Sequence, residues 1–184
     1  SEIQTPHIDS MAADGMIFSD AHSTSACCTP SRYSIITGRY NWRSRLKKGV
    51  SNGHSSTLIN PDRLTIASLL KENGYATTCI GKWHIGLDWQ TTDGKPAQRL
   101  MHNVDFSKEF KNGPCDFGFD EYFGMVASLG MPPHVLVENR RVTALPTEFV
   151  TDKKFLKGHL INGREGYMVK DWDPHHVLPA LGQR

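Results

Sequence analysis

Two short stretches of this chain hold the residue types that do chemistry. In the first, Cys28-Thr29-Pro30-Ser31-Arg32 leads into Tyr33-Ser34-Ile35-Ile36-Thr37-Gly38. A helix is expected just after Cys28 and Pro30, and a residue placed where a helix begins has backbone N–H groups and a partial positive charge near it that favour an anion. Arg32, four residues on, lies one turn along the same face. In the second stretch, Lys82 and His84 sit two apart at the end of a β-rich run, and strand alternation puts both on one side. An imidazole titrating near neutrality is suited to moving protons. Taken singly, these groups have bland readings: a lone cysteine before a helix is usually structural, and isolated Lys and His are usually surface and core residues. Their meaning depends on the elements that bring them together.

Thr5 to Gly15 reads as a short helix with Thr5 as cap, Pro6 in the first turn and Gly15 as terminator. Met16-Ile17-Phe18 then reads as a buried strand, followed by polar Ser19 to Ser25. Tyr33 to Thr37 reads as helix, ended by Gly38, and Arg39 to Ser56 as loop. Ile66, Leu69 and Leu70 form an apolar helical stripe between Thr65 as cap and Gly74 as terminator. The β-rich run Tyr75 to Ile80 follows, so helix then strand predicts an α/β layered fold. Asp88 to Gly118 is expected to be mostly loop. Val135, Val137 and Val142 around Glu138-Asn139-Arg140 predict a hairpin away from the main sheet. The stretch from Lys153 is basic and weakly patterned until Pro174-His175-His176, expected as a helix start in solvent.

Composition narrows the classes. With 38% hydrophobic and 22% charged residues in 184, the chain is globular and long enough for a core. No apolar run approaches a membrane span, and a net charge of +2 gives no broad footprint for nucleic acid or membrane. The basic run Arg39, Arg43, Arg45, Lys47, Lys48, with Tyr40 and Trp42 interleaved, is a rival nucleic-acid or glycosaminoglycan surface; acidic residues elsewhere nearly cancel it, which favours a solvated rim or one that attracts anionic substrates. Four cysteines without CxxC spacing exclude a disulfide scaffold and a zinc site, and Cys27, Cys79 and Cys115 are expected as buried small hydrophobes.

Cys28-Thr29-Pro30-Ser31-Arg32 with Thr37-Gly38 resembles the first signature of the type I, formylglycine-dependent sulfatases. Gly74 to Gly86, ending Gly81-Lys82-Trp83-His84-Ile85-Gly86, resembles the second, with Ile85 for the usual Leu. Thr5-Pro6-His7-Ile8-Asp9 before them and Gly118-Phe119-Asp120-Glu121-Tyr122-Phe123-Gly124 after them extend the resemblance over nearly the whole chain. It implies an α/β, alkaline-phosphatase-like fold, a mixed sheet flanked by helices. Residues 1–184 are then part of one catalytic domain, truncated at both ends, with the first strand and the C-terminal portion missing.

The resemblance also implies the site. Cys28, the cysteine with Pro two residues on, is the one oxidised to formylglycine by a formylglycine-generating or anaerobic sulfatase-maturating enzyme. Its hydrated aldehyde is the nucleophile and a ligand of Ca²⁺ or another divalent cation. Arg32 supports the hydrate, Lys82 grips sulfate and nucleophile, His84 takes a proton at turnover, and Ser128 contacts substrate. The other metal ligands would fall outside this chain, so the chain alone is expected to be inactive. The implied activity is sulfuric ester hydrolysis on a sulfated small molecule or glycan, with sulfated carbohydrate as the expected substrate and the periplasm, lysosome or medium as location. Alternatives are a phosphate or phosphonate monoester hydrolase with the same nucleophile, and a non-catalytic anion-binding fragment.

Overall fold

The site is organised by one helix laid against the end of one strand pair. The computed structural model describes residues 3–151 and 164–184. Helix α2 runs Cys28–Thr37 and stops at Gly38, whose φ of 64° is the left-handed conformation a helix terminator needs. Strand β1, Thr78–Lys82, pairs in parallel with β2, Glu121–Met125, from Thr78↔Glu121 to Lys82↔Met125. Their closest approach requires Gly124, where a Cβ would lie 1.8 Å from the carbonyl oxygen of Gly81.

Helix α3, Ile66–Glu72, feeds β1. Thr65 caps it as expected, accepting from the Ser68 N–H in a reciprocal capping box. The apolar stripe does not face the core, however. Ile66, Leu69 and Leu70 are exposed, and the residue α3 buries is Ala67, against the backbone at Gly118. The close approach at Gly118 leaves no room for a large side chain there.

The hairpin is found, but not away from the main sheet. β3, Val137–Glu138, pairs antiparallel with β2, and β4, Arg141–Val142, pairs antiparallel with β3, so the order is β1-β2-β3-β4. Full burial of Val137 and the bond from the Tyr122 N–H to the Asn139 Oδ1 (3.0 Å) draw the hairpin onto β2. A second antiparallel pair joins β5, Glu148–Val150, to β6, Gly166–Met168. The expected unpatterned stretch from Lys153 lies outside the described residues up to residue 163. His175 and His176 stand exposed in a 3₁₀ turn before α4, Val177–Leu181.

Asp88 to Gly118 has little regular structure yet supplies much of the core: Trp89, Met101, Val104, Phe110 and Phe117 pack with Trp83, Ile85, Leu87 and Tyr122. Helix α1, Pro6–Asp14, forms where expected, but Thr5 donates its hydroxyl to Asp9 rather than accepting from the backbone. Met16-Ile17-Phe18 is neither strand nor buried; each side chain is about three-quarters exposed. No described strand pairs with it, so nothing withdraws that backbone or those side chains from water. No described helix is long and apolar enough to cross a membrane.

Candidate active site

Cys28 is the first residue of α2, and the preceding Cys27 is extended and makes no side-chain cap; Pro30 has no N–H and the Ser31 N–H donates to the Cys27 carbonyl (3.2 Å), so the Cys28 and Thr29 N–H groups are left for another acceptor. Ser25 fixes the approach: its hydroxyl accepts from the Cys27 N–H (3.2 Å) and its carbonyl from the Ser31 hydroxyl (2.6 Å). The two adjacent cysteines are thereby separated in environment. Cys28 is half-buried, whereas Cys27 is exposed, contrary to the expectation that it is a buried hydrophobe. At an N-cap the side chain projects from the helix end, where nothing covers it.

Two side chains three apart on α2 clamp it to the chain leaving β1. Thr29 donates to the carbonyl of His84 (2.8 Å), and Arg32 donates to the carbonyl of Lys82. Thr29, fully buried, also accepts from the Ser51 N–H (3.1 Å). Between the helix and the strand lies a cavity of about 530 Å³ lined by Cys28, Ser31, Arg32, Cys79, Lys82 and Trp83, among others. Among the described residues the Lys82 ammonium has no acidic or hydrogen-bonding partner. The structure thus brings Cys28, Arg32 and Lys82 to one wall, with two cations and no carboxylate. Cys27 and Cys79 also line the cavity, and burial pushes the Cys79 thiol up to about 11, which the Arg32 charge only partly offsets. It is protonated at neutral pH and inert as a nucleophile.

His84 differs from the expectation in two ways. β1 ends at Lys82, and His84 turns into the left-handed region at φ 61°, so strand alternation does not carry through to it. Its ring is fully buried, its Nε2 lies 2.8 Å from the Ser51 carbonyl, and it is not on the cavity wall. Burial and then the Lys82 charge lower its pKa to about 4, with Arg32 and Arg164 adding to the shift against the hydrogen bond that the ring donates to the Ser51 carbonyl. The ring is therefore neutral at pH 7 rather than poised near neutrality. A carbonyl acceptor at Nε2 assigns the proton to that nitrogen, which makes Nδ1 a bare acceptor. Nδ1 is buried and unpartnered among the described residues.

Ser128 follows β2, where Val126 already pairs its carbonyl with the His84 N–H, so it lies at the same end of the strand pair. It is half-buried, its carbonyl accepts from the Met131 N–H (2.8 Å), and it does not line the Cys28 cavity. Sequence reading missed Thr29 and Ser51 as positioning residues. Thr29 stood inside the first motif and was passed over; Ser51, in an unpatterned loop, gives no signal because it acts through its backbone. A hard divalent cation wants about six to eight oxygen ligands. The described residues contain no group of three His, Cys, Asp or Glu able to hold a metal, so they do not by themselves fit such a site; the cavity wall offers three thiols, Cys27, Cys28 and Cys79, and no oxygen ligand set.

A mixed sheet flanked by helices, with a helix start bearing Cys28 and the cations Arg32 and Lys82 beside one cavity at the carboxyl end of β1, is an α/β layered arrangement in which an anion can meet a helix N-terminus. The sulfatase family model matches residues 1–160, and the chain belongs to that family. It is 37% identical over 152 residues to the N-acetylgalactosamine-6-O-sulfatase of Bacteroides thetaiotaomicron, covering 82% of this chain and 27% of that protein. It is 33% identical over 128 residues to human steryl-sulfatase, covering 67% of this chain and 19% of that protein. A solved structure titled for the metabolism of multiple glycosaminoglycans by Bacteroides thetaiotaomicron superimposes with a TM-score of 0.65 at 34% identity, over 86% of this chain and 31% of that one. The chain thus spans less than a third of the length of these relatives. Its fold is the alkaline-phosphatase-like α/β fold of the sulfatases, in part. The family generally implies a formylglycine and a divalent metal.

Proposed function

We propose that residues 1–184 are part of one sulfatase catalytic domain that hydrolyses a sulfate ester, with sulfated carbohydrate as substrate. The observation that carries this reading is the joint placement of Cys28, Arg32 and Lys82 on one cavity wall at the start of α2. Converted to formylglycine, Cys28 supplies an oxygen nucleophile and a route for releasing sulfate. The chain's own residues do the rest. The uncapped first turn of α2 and the Lys82 ammonium bind and orient the anionic sulfate. Arg32 holds β1 to the helix through the Lys82 carbonyl and sets a permanent positive charge beside the nucleophile. His84, neutral and with Nδ1 bare, is fitted to accept a proton. Ser128 is proposed as a substrate contact at the same strand end.

Ca²⁺ is the proposed metal of the whole protein, with Cys28 as this chain's ligand; the described residues do not make up the rest of its shell. The maturation enzyme is a proposed partner, and export to periplasm, lysosome or medium the proposed location. The N-acetylgalactosamine-6-O-sulfatase among the relatives favours a sulfated amino sugar.

Co-expression with a formylglycine-generating system, followed by mass spectrometry of the peptide spanning Ala26 to Arg32, tests the assignment. Conversion at Cys28 with Cys27 left as thiol is expected, since only Cys28 has Pro two residues on. Unchanged Cys28 beside a converted control sulfatase overturns it. With the converted protein, turnover of an aryl phosphate in preference to an aryl sulfate would replace the sulfatase reading by the phosphatase one.

A further inference from the structure

A second basic pocket lies beyond His84. It measures about 220 Å³ and is lined by Asn52, His54, Arg99, Pro132, Arg164 and Glu165. Its charges are unequally paired. Arg99 lies 3.5 Å from Glu165, so that pair cancels. Arg164 donates to the neutral side-chain oxygen of Asn52 and has no acidic partner among the described residues. A guanidinium carries five N–H donors in a planar fork, and one neutral amide oxygen leaves most of them open to the pocket.

The pocket is tied to the candidate active site. Asn52 follows Ser51, whose carbonyl lies 2.8 Å from the His84 Nε2 and whose N–H reaches Thr29, next to Cys28. The Arg164 charge acts on both His54 and His84. His54 makes no hydrogen bond among the described residues, and burial with the Arg99 and Arg164 charges lowers its pKa, so it adds a neutral ring rather than a third charge. His54 also borders a wider polar cavity of about 670 Å³ containing Arg45, Lys95, Asp88 and Trp89. The backbone holds the pocket's shape: the Arg164 N–H donates to the Gly130 carbonyl (3.0 Å), and Gly53 lies so close to Pro132 that a Cβ would sit 1.9 Å from its carbonyl oxygen.

Resting on the sulfatase reading above, we propose that the pocket of Asn52, His54, Arg99 and Arg164 is a second anion subsite, which takes a carboxylate or sulfate on the sugar adjoining the one whose sulfate is cleaved. Arg164 is its specificity-determining group, and the polar cavity beyond His54 gives the rest of a saccharide room to continue. The substrate class is therefore an acidic oligosaccharide rather than a singly sulfated small molecule.

Titration calorimetry on the whole sulfatase, with Cys28 left as thiol so that no probe is turned over, tests this with three probes. Each carries N-acetylgalactosamine 6-sulfate linked to a neutral hexose, to a glucuronic acid, or to a sulfated hexose. One acidic partner is expected to bind roughly ten- to a hundredfold more tightly than the neutral one, the range of one charge-assisted contact. Which arm shows the gain identifies carboxylate or sulfate. In Arg164→Gln the ratio falls to about one, and in Arg164→Lys it is partly kept. Arg99→Gln, at an exposed position that cannot threaten folding, reduces the ratio by less, since Glu165 already neutralises Arg99. Equal binding of all three probes, no binding of any, or a ratio unchanged in Arg164→Gln each overturns the subsite. Sulfate release from the monosaccharide by the formylglycine-bearing whole sulfatase is measured separately. Its absence, with the binding ratio intact, overturns the sulfatase reading and leaves an anion-binding pocket.

Discussion

Acid should weaken this protein through His84 before it touches the carboxylates. In the folded chain the ring's pKa is lowered to about 4 from the ordinary 6.5, chiefly by burial and then by Lys82. The unfolded chain therefore binds the proton more readily, and stability rises with pH wherever that difference operates. The contribution is fully present above pH 6.5 and is lost as pH falls from 6.5 through 4. Between pH 7.5 and 4.5 the loss from this one ring comes to about 2.5 kcal/mol. That is a large share of a small domain's stability.

His54 and His134 are also lowered by burial and act in the same direction, so the comparison must isolate His84. Asp120, drawn down to about 2 first by its bond to Lys71 and then by Thr77, loses its contribution only below the ordinary carboxylate range and stays out of the window. His84→Gln retains an N–H that can donate to the Ser51 carbonyl but cannot titrate. Urea unfolding at pH 7.5 and 4.5 should show wild type losing about 2.5 kcal/mol more than the variant over that interval. Equal losses in the two proteins, or a His84 ring that titrates near 6.5 by NMR, would refute the burial argument.

Three further outcomes follow from the same geometry. Gly124→Ala should cost about 3 kcal/mol or more in thermal unfolding, because the new Cβ meets the Gly81 carbonyl oxygen at 1.8 Å and the obstacle is backbone that cannot rotate away. A Tm within a degree or two of wild type would mean that β1 and β2 are not held at this separation. Lys82→Ala, in the formylglycine-bearing whole sulfatase, should reduce turnover by about 10²–10³, the usual loss for one preorganised electrostatic contact; near-normal turnover would remove Lys82 from the site. Excess Ca²⁺ should not raise the Tm of the 184-residue chain, and that chain should release no sulfate, since the described residues offer no three-ligand group. A calcium-dependent rise together with turnover would show a metal site built from residues not recognised here.

The legible parts of the fold were those fixed by neighbours in sequence. The Thr65 cap works through Ser68 three residues away, and Gly38 ends α2 through its own φ, so both can be read locally. Burial could not be read that way. The Ile66, Leu69 and Leu70 stripe has the right period, but a period says only that a face is apolar and leaves open which partner covers it. The same holds for Met16-Ile17-Phe18, whose composition predicts a buried strand while no described strand lies beside it. Placement of the hairpin depended on Asn139 bonding Tyr122, a contact across 17 residues that no periodicity encodes.

The site shows the same division at closer range. Cys28, Arg32 and Lys82 stood out by side-chain type and spacing, and one cavity brings them together. His84 was legible as a residue but not as an environment. Its neutrality comes from burial and the Lys82 charge, and its tautomer from Ser51, which reaches it from a loop 33 residues upstream with a backbone carbonyl, a group every residue possesses. Thr29 completes the link, holding the Ser51 N–H and the His84 carbonyl with one hydroxyl while its neighbour Cys28 faces the cavity. Helix start, strand end and loop are thus joined through main-chain atoms, which are indifferent to sequence but demanding in distance. A small hydroxyl residue at position 29 is then a geometric requirement of the site rather than a spacer in the motif. Displacing it would move Cys28, the ammonium and the imidazole relative to one another without altering any of them.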